Sequence, residues 1–193
     1  MSKADRTRQF IIEASAPLIN KKGMAGTSLS DIMEVTKLAK GGIYGNFENK
    51  EEICVESFLY LRSQLAGKLD LAISQGNSAK AKLFNLLAVY ENDKNMTEGC
   101  PILNFGVEAD DTNPIIKEQV KNAIRSAQKR FYTIVEDGIK NKELSTKINA
   151  EHFSIKVFAM IEGGILCRKV LGNNQQMAII LESIKEEFER YVL

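Results

Sequence analysis

The segment Lys40-Gly41-Gly42-Ile43-Tyr44-Gly45-Asn46, with Lys50 shortly after it, surrounds three glycines with polar donors. Each glycine costs roughly 1 kcal/mol against alanine in a helix interior, so something other than helix stability has placed them. Two chemistries would explain such a cluster: a loop that cradles phosphate, or a helix whose backbone must come close to something outside it. The phosphate loop fails on spacing. No glycine precedes a Lys-Ser or Lys-Thr pair, and Gly41-Gly42-x-x-Gly45 is not G-x-G-x-x-G after a strand.

A helix-turn-helix accounts for more. Ser28-x-x-Asp31 has capping-box spacing and opens a helix with Leu29, Ile32 and Val35 on one face. Thr36-Lys37-Leu38 makes the turn, and a short helix over about residues 39–45 follows, with Leu38 and Ile43 closing the apolar contact. In such a motif the start of the second helix enters the major groove, where small residues permit close approach. Lys40 offers a point charge, Tyr44 an O–H on a stiff ring, and Asn46 and Lys50 further phosphate donors. Thr27 and Ser28 place hydroxyls and backbone N–H groups at a helix start, where anions are favoured. The alternative is a solvated polar face with Tyr44 half packed; the grouping of these donors around Gly41 and Gly42 favours DNA.

The elements that must position this segment are helical. Apolar residues recur at helical spacing almost throughout, and the spacing predicts an all-α chain of about nine helices. The first, about residues 4–22, buries Phe10, Ile11, Ala14, Leu18 and Ile19 and bends at Pro17. After the two short helices come segments at about 50–75, 79–95, 101–109, 113–141, 149–171 and 174–192. The expected division is a DNA-binding domain at residues 1–50 and a second helical domain at residues 51–193.

Composition narrows the function. With 193 residues, 44% hydrophobic, the chain can bury a real core. Net charge is +1, but residues 1–50 carry eight Lys/Arg against five acids, leaving 18 against 20 for the remainder, so the two parts stand at +3 and −2. Three cysteines without metal-like spacing and no apolar leader or membrane-length run lead us to expect a reduced, cytoplasmic protein without metal or cofactor. A single histidine, His152, and unclustered carboxylates give no acid/base pair, so we expect no enzyme. A helical small-molecule-binding protein with a degenerate DNA reader is the competing class.

The stretch "TSLSDIMEVTKLAKGGIYGNFENKEEI", preceded by "IIEASAPLINKKGMAG", resembles the DNA-binding domain of the TetR (tetracycline-repressor-like) regulators over residues 8–55. The resemblance assigns Lys40, Gly41 and Gly42 to the start of the recognition helix and phosphate contacts to Tyr44 and Lys50. Asn46 stands where the family more often has His or Tyr, Lys37 where it has a turn glycine, and Ala39 where it has an N-cap serine. It further implies an effector-binding and dimerisation domain at residues 51–193, a repressor on an inverted-repeat operator of double-stranded DNA, released by a small-molecule effector, and a homodimer through the two C-terminal helices. "FSIKVFAMIEGGILCRKVL" is apolar on most faces, and the last helix carries Met177, Ile180, Leu181, Ile184, Phe188 and Tyr191 on one stripe, which suits that dimer. Expected lining for the effector pocket is Phe58, Leu61, Leu65, Phe84, Leu87, Tyr90, Phe105, Phe131 and Tyr132. Some relatives sense oxidants through a cysteine. Cys100, between Gly99 and Pro101 at a predicted helix start that favours a thiolate, is the candidate here, against the plainer role of a small packed residue beside Glu98.

Overall fold

A computed structural model describes residues 2–92, 98–111 and 113–193. Among the described residues lie nine helices: α1 Lys3–Lys22, α2 Leu29–Thr36, α3 Lys40–Tyr44, α4 Lys50–Ser74, α5 Ala79–Asn92, α6 Pro101–Ala109, α7 Pro114–Lys140, α8 Ala150–Leu171 and α9 Gln175–Glu189. The expected all-α class holds. Residues 93–95, expected to extend α5, lie outside the described residues. The only β pairing described is an isolated antiparallel bridge, Leu144 with Val192, flanked by Ser145 N donating to Tyr191 O at 2.8 Å and Leu193 N to Glu143 O at 3.0 Å.

The chain forms two compact units, one of Met1–Gln64 with Pro101–Lys121 and one of Leu65–Cys100 with Asn122–Leu193. The unit that contains the reader is therefore larger than residues 1–50, taking in the first part of α4, all of α6 and the start of α7.

In the first unit, Ser2 caps α1 through a reciprocal pair with Asp5, and Gly23 ends it at φ 83°. The buried stripe of α1 is Ile11, Ile12, Ala16 and Ile19. The expected stripe was rotated: Phe10 is 46% exposed, and Ala14 and Leu18 are only half-buried. The reason is that α1 packs against both α2 and α6, which moves the buried arc. Helix α1 continues through Pro17, on its exposed side. In α2, Ile32 is buried as expected, but Val35 turns outward and Thr36 takes the inner place, its hydroxyl donating to Ile32 O at 2.7 Å.

The second unit is built on the α8–α9 hairpin. Gly164 faces α9 so closely that a Cβ there would lie 2.9 Å from Met177 Cε, and Phe153 stacks against Phe188 with centroids 5.6 Å apart. Arg130 holds Asp70 through two bonds of 2.7 and 3.0 Å, and Lys156 pairs with Glu187 across the hairpin.

Lys37, the C-cap of α2, lies in the left-handed region at φ 57°, ψ 22°. A side chain there is strained by about 1 kcal/mol relative to glycine. Lys37→Gly is expected to raise the unfolding free energy by about that amount, read by urea denaturation.

Candidate nucleic-acid interface and the interior of the second unit

The turn between α2 and α3 is fixed by local hydrogen bonds. Thr36 Oγ1 receives Leu38 N at 3.4 Å, and Ile32 and Ile43, both fully buried, tie the helices together. Helix α3 is only five residues long, and Ala39 gives it no side-chain cap. It is held from its far end instead. Asn46 Nδ2 donates to Gly42 O at 2.8 Å, Arg8 Nη1 to Asn46 O at 2.7 Å, and the Arg8 guanidinium sits 4.2 Å over the buried Phe47 ring while pairing with Glu52 and Glu56 at 2.8 Å each.

The outward side of α3 presents Lys40, Gly41, Gly42 and Tyr44, the last 37% exposed, with Lys40 Nζ 5.8 Å from the Tyr44 ring centroid. A Cβ built on Gly41 meets nothing within 4 Å, and one on Gly42 makes only an ordinary contact of 3.6 Å with Leu38 Cβ. Nothing inside the protein requires either glycine.

Other nominated DNA contacts are placed differently. Thr27 is fully buried and its hydroxyl donates to Gly23 O at 2.7 Å, so its side chain is not a free donor. Ser28 is exposed, but its hydroxyl is engaged with Asp31, receiving Asp31 N at 3.1 Å and donating to Oδ2 at 2.7 Å. Lys22, 2.6 Å away, and Ser28 together hold the Asp31 carboxyl well below the usual carboxylate range. Lys50 Nζ donates to Met24 O and to Thr27 O, both at 2.8 Å, which leaves one ammonium proton for a phosphate.

The same α1–α2 loop is gripped from α6. Glu108 Oε2 accepts Met24 N at 2.6 Å and Oε1 accepts Ala25 N at 2.5 Å, while Asn104 Nδ2 donates to Asn20 O and Oδ1 at 3.0 Å each. Sequence reasoning missed Arg8, Asn104 and Glu108. For the last two, the available signal was a polar i, i+4 pair on a short apolar helix.

Of the nine residues expected to line an effector pocket, Phe58 and Phe105 pack on each other in the first unit at 5.2 Å between centroids. Leu87, Tyr90 and Phe131 are buried in the second unit, Leu61, Leu65 and Phe84 are half-buried, and Tyr132 is 40% exposed. Two open clefts, of 320 Å³ beside Arg130 and Lys82 and of 370 Å³ beside Tyr60 and Glu13, contain none of the nine.

Cys100 is 1% exposed and its thiol is hydrogen-bonded to Glu162. Reactive thiols occupy accessible surroundings, whereas Cys100 is closed to solvent and its thiol faces a carboxyl group. Glu162 was also missed, although a lone acid in the apolar run of α8 was visible in the sequence. Burial pushes its carboxyl up to about 7, against the lowering effect of the Cys100 bond. Arg168 Nη1 donates to Tyr90 O at 2.9 Å, and burial pushes the Tyr90 phenol far above its usual value. Among the described residues no group of three or more metal-ligating side chains occurs, and no helix is long and apolar enough to cross a membrane.

Two short helices across a tight turn, held on a helical platform with the second helix exposed, define a helix-turn-helix protein. Residues 11–56 match the family model described as bacterial regulatory proteins, tetR family, and residues 79–184 match that of the tetracyclin repressor-like C-terminal domain. The chain belongs to the TetR family of transcriptional regulators, which are DNA-binding proteins and not enzymes. A TetR-family regulator from Cytophaga hutchinsonii is 36% identical, with a TM-score of 0.92 over 100% of this chain and 98% of that one. The HTH-type regulator LmrA of Bacillus subtilis is 27% identical over 98% of this chain and 100% of its own, and TtgR of Pseudomonas putida 26% over 83% and 79%.

Two outcomes test this geometry. Glu108→Ala removes two charge-assisted bonds and is expected to cost about 2 kcal/mol, with faster hydrogen exchange at the Met24 and Ala25 amides. Glu162, whose folded value lies above its ordinary 4.5, contributes most stability below that pH and loses it as pH rises to about 7. Over that window the parent's stability therefore falls relative to Glu162→Gln, with a slope of at most about 1.4 kcal/mol per pH unit in chemical denaturation.

Proposed function

We propose that the protein is a dimeric repressor that reads an inverted-repeat operator through Lys40, Gly41, Gly42 and Tyr44, with Asn46, Lys50 and the Thr27–Ser28 backbone supporting the contact. The observation that carries this is the open space over Gly41 and Gly42. Their cost in helix propensity has no internal return, so the constraint on them comes from a surface that approaches from outside. Lys40 and Tyr44 flank that opening with a charge and an O–H donor suited to phosphate. Residues 1–50 read the DNA in the cytoplasm, and residues 51–193 bind a small-molecule effector that releases it.

The dimer reading rests on α8. Ile155, Ala159, Gly163, Leu166 and Val170 are exposed at spacings of four, four, three and four, which aligns them on one outward stripe. Ile155 is 47% and Val170 73% exposed, and small residues at the centre permit a close helix crossing. Of the α9 stripe expected to serve this purpose, Met177, Leu181, Ile184 and Phe188 are buried within the protomer, and Ile180 and Tyr191 are half-buried.

Selection of genomic fragments with the purified protein should recover one inverted repeat; only sequence-blind, salt-sensitive binding would overturn the function. Gly41→Ala should stabilise the protein by up to ~1 kcal/mol while weakening operator binding. Lys40→Ala should lower affinity for all sequences and reduce the salt slope by about one. Sedimentation should give twice the 21.5 kDa chain mass, and Val170→Glu should return a monomer.

A further inference from the structure

Helix α3 is too short to hold itself. Its five residues make little more than one turn, the unfavourable part of helix formation, and Gly41 and Gly42 add to the cost. The carbonyls of Gly41, Gly42 and Ile43 are nevertheless met, by Gly45 N at 2.9 Å, by Asn46 Nδ2 at 2.8 Å and by Asn46 N at 3.0 Å. The segment that makes these bonds is itself tied down at the Asn46 carbonyl, which receives Arg8 Nη1 at 2.7 Å. Phe47, the next residue, is buried under the Arg8 guanidinium, 4.2 Å from it. Arg8 Nη2 reaches Glu52 and Glu56 of α4, at 2.8 Å each.

One flat group therefore joins α1, the end of α3 and the first turns of α4. A guanidinium offers donors on two sides and a face for stacking at once, which an ammonium cannot. Two carboxylates stand against its single charge, so Arg8 brings no net positive charge to a phosphate. We propose that Arg8 is the positioning residue of the reader: without touching DNA, it sets where α3 stands and thereby separates operator from other sequences. This rests on the reading that α3 enters the DNA. Contacts to base edges need side chains held to within about 0.5 Å, whereas attraction to phosphates is sequence-blind and tolerates displacement. Loss of Arg8 thus falls on specificity.

Binding of the selected operator fragment and of a scrambled duplex is measured by fluorescence anisotropy over a salt series. The proteins are the full-length parent, Arg8→Lys, Arg8→Gln and Glu56→Ala, each melted first to fix a temperature at which it is folded. Arg8→Lys and Arg8→Gln are expected to weaken operator binding at least about ten-fold, with binding to the scrambled duplex and the salt slope unchanged. Lysine keeps the charge without the fork, so it does not rescue. Glu56→Ala is expected to weaken operator binding as well, although it makes the protein more basic and charge alone would tighten it. Amide exchange at Asn46 and Phe47 quickens in all three variants. Parental operator affinity in Arg8→Lys overturns the assignment, as does tighter operator binding by Glu56→Ala. Equal loss on both duplexes in Arg8→Gln, with a salt slope lower by about one, overturns it by making Arg8 a phosphate contact. Should Arg8→Gln not fold, the other two variants decide. A parent that prefers no fragment overturns the reading of α3 and this assignment with it; a parent that selects an operator, matched by its variants, overturns the assignment alone.

Discussion

The loop between α1 and α2 carries backbone groups that neither helix satisfies, and the placing of the reader depends on how they are met. Two N–H groups, at Met24 and Ala25, go to the Glu108 carboxylate, and two carbonyls, at Met24 and Thr27, receive the Lys50 ammonium. A third carbonyl, at Gly23, takes the Thr27 hydroxyl. Opposite charges thus approach one loop from α6 and from the start of α4, and the four bonds made by Glu108 and Lys50 are charge-assisted, roughly twice as strong as neutral ones. Because α2 begins at the end of this loop, its direction, and through the two-helix contact that of α3, follows from the clamp.

This accounting changes what the basic residues of the N-terminal part are for. Arg8 is committed to Glu52, Glu56 and the Asn46 carbonyl, Lys22 to Asp31, and Lys50 to the loop. The excess of +3 over residues 1–50 is therefore not a uniform field for DNA. Lys37 and Lys40 stand exposed on the turn and on α3, and the reader is left with a small number of charges around a glycine opening. In the proposed reading, phosphate contacts there position the protein, while close backbone approach at the glycines decides which surface fits.

Helix count, order and most boundaries were legible because apolar spacing and punctuation by Gly23, Ser28, Pro101, Pro114 and Gly172 agree with each other. Faces were less legible. Phe10 and Val35 were expected inside and lie outside, since periodicity gives an apolar arc but not which neighbours close over it, and α1 has two. Of the proposed DNA contacts, the exposed Lys40, Gly41, Gly42 and Tyr44 followed from residue type, whereas Thr27 and Lys50 have internal partners whose carbonyls leave no mark in a sequence. Phe58 and Phe105, nominated as lining, pair in a core, as large apolar residues at helical spacing usually do.

Helix α8 shows how much one element can be asked to carry. Successive residues of a helix point about 100° apart, so Glu162, Gly163 and Gly164 face three directions. Glu162 turns its carboxyl into the second unit toward Cys100, Gly163 opens to solvent on the outward apolar stripe, and Gly164 receives Met177 of α9. The adjacent glycines are therefore not equivalent: a Cβ at 164 collides within its own chain, and one at 163 meets nothing there. A helix is rigid over these three residues, so the outward stripe is fixed relative to the face that receives α9: the packing that seats Met177 on Gly164 also sets the angle at which Gly163 and its apolar neighbours face solvent.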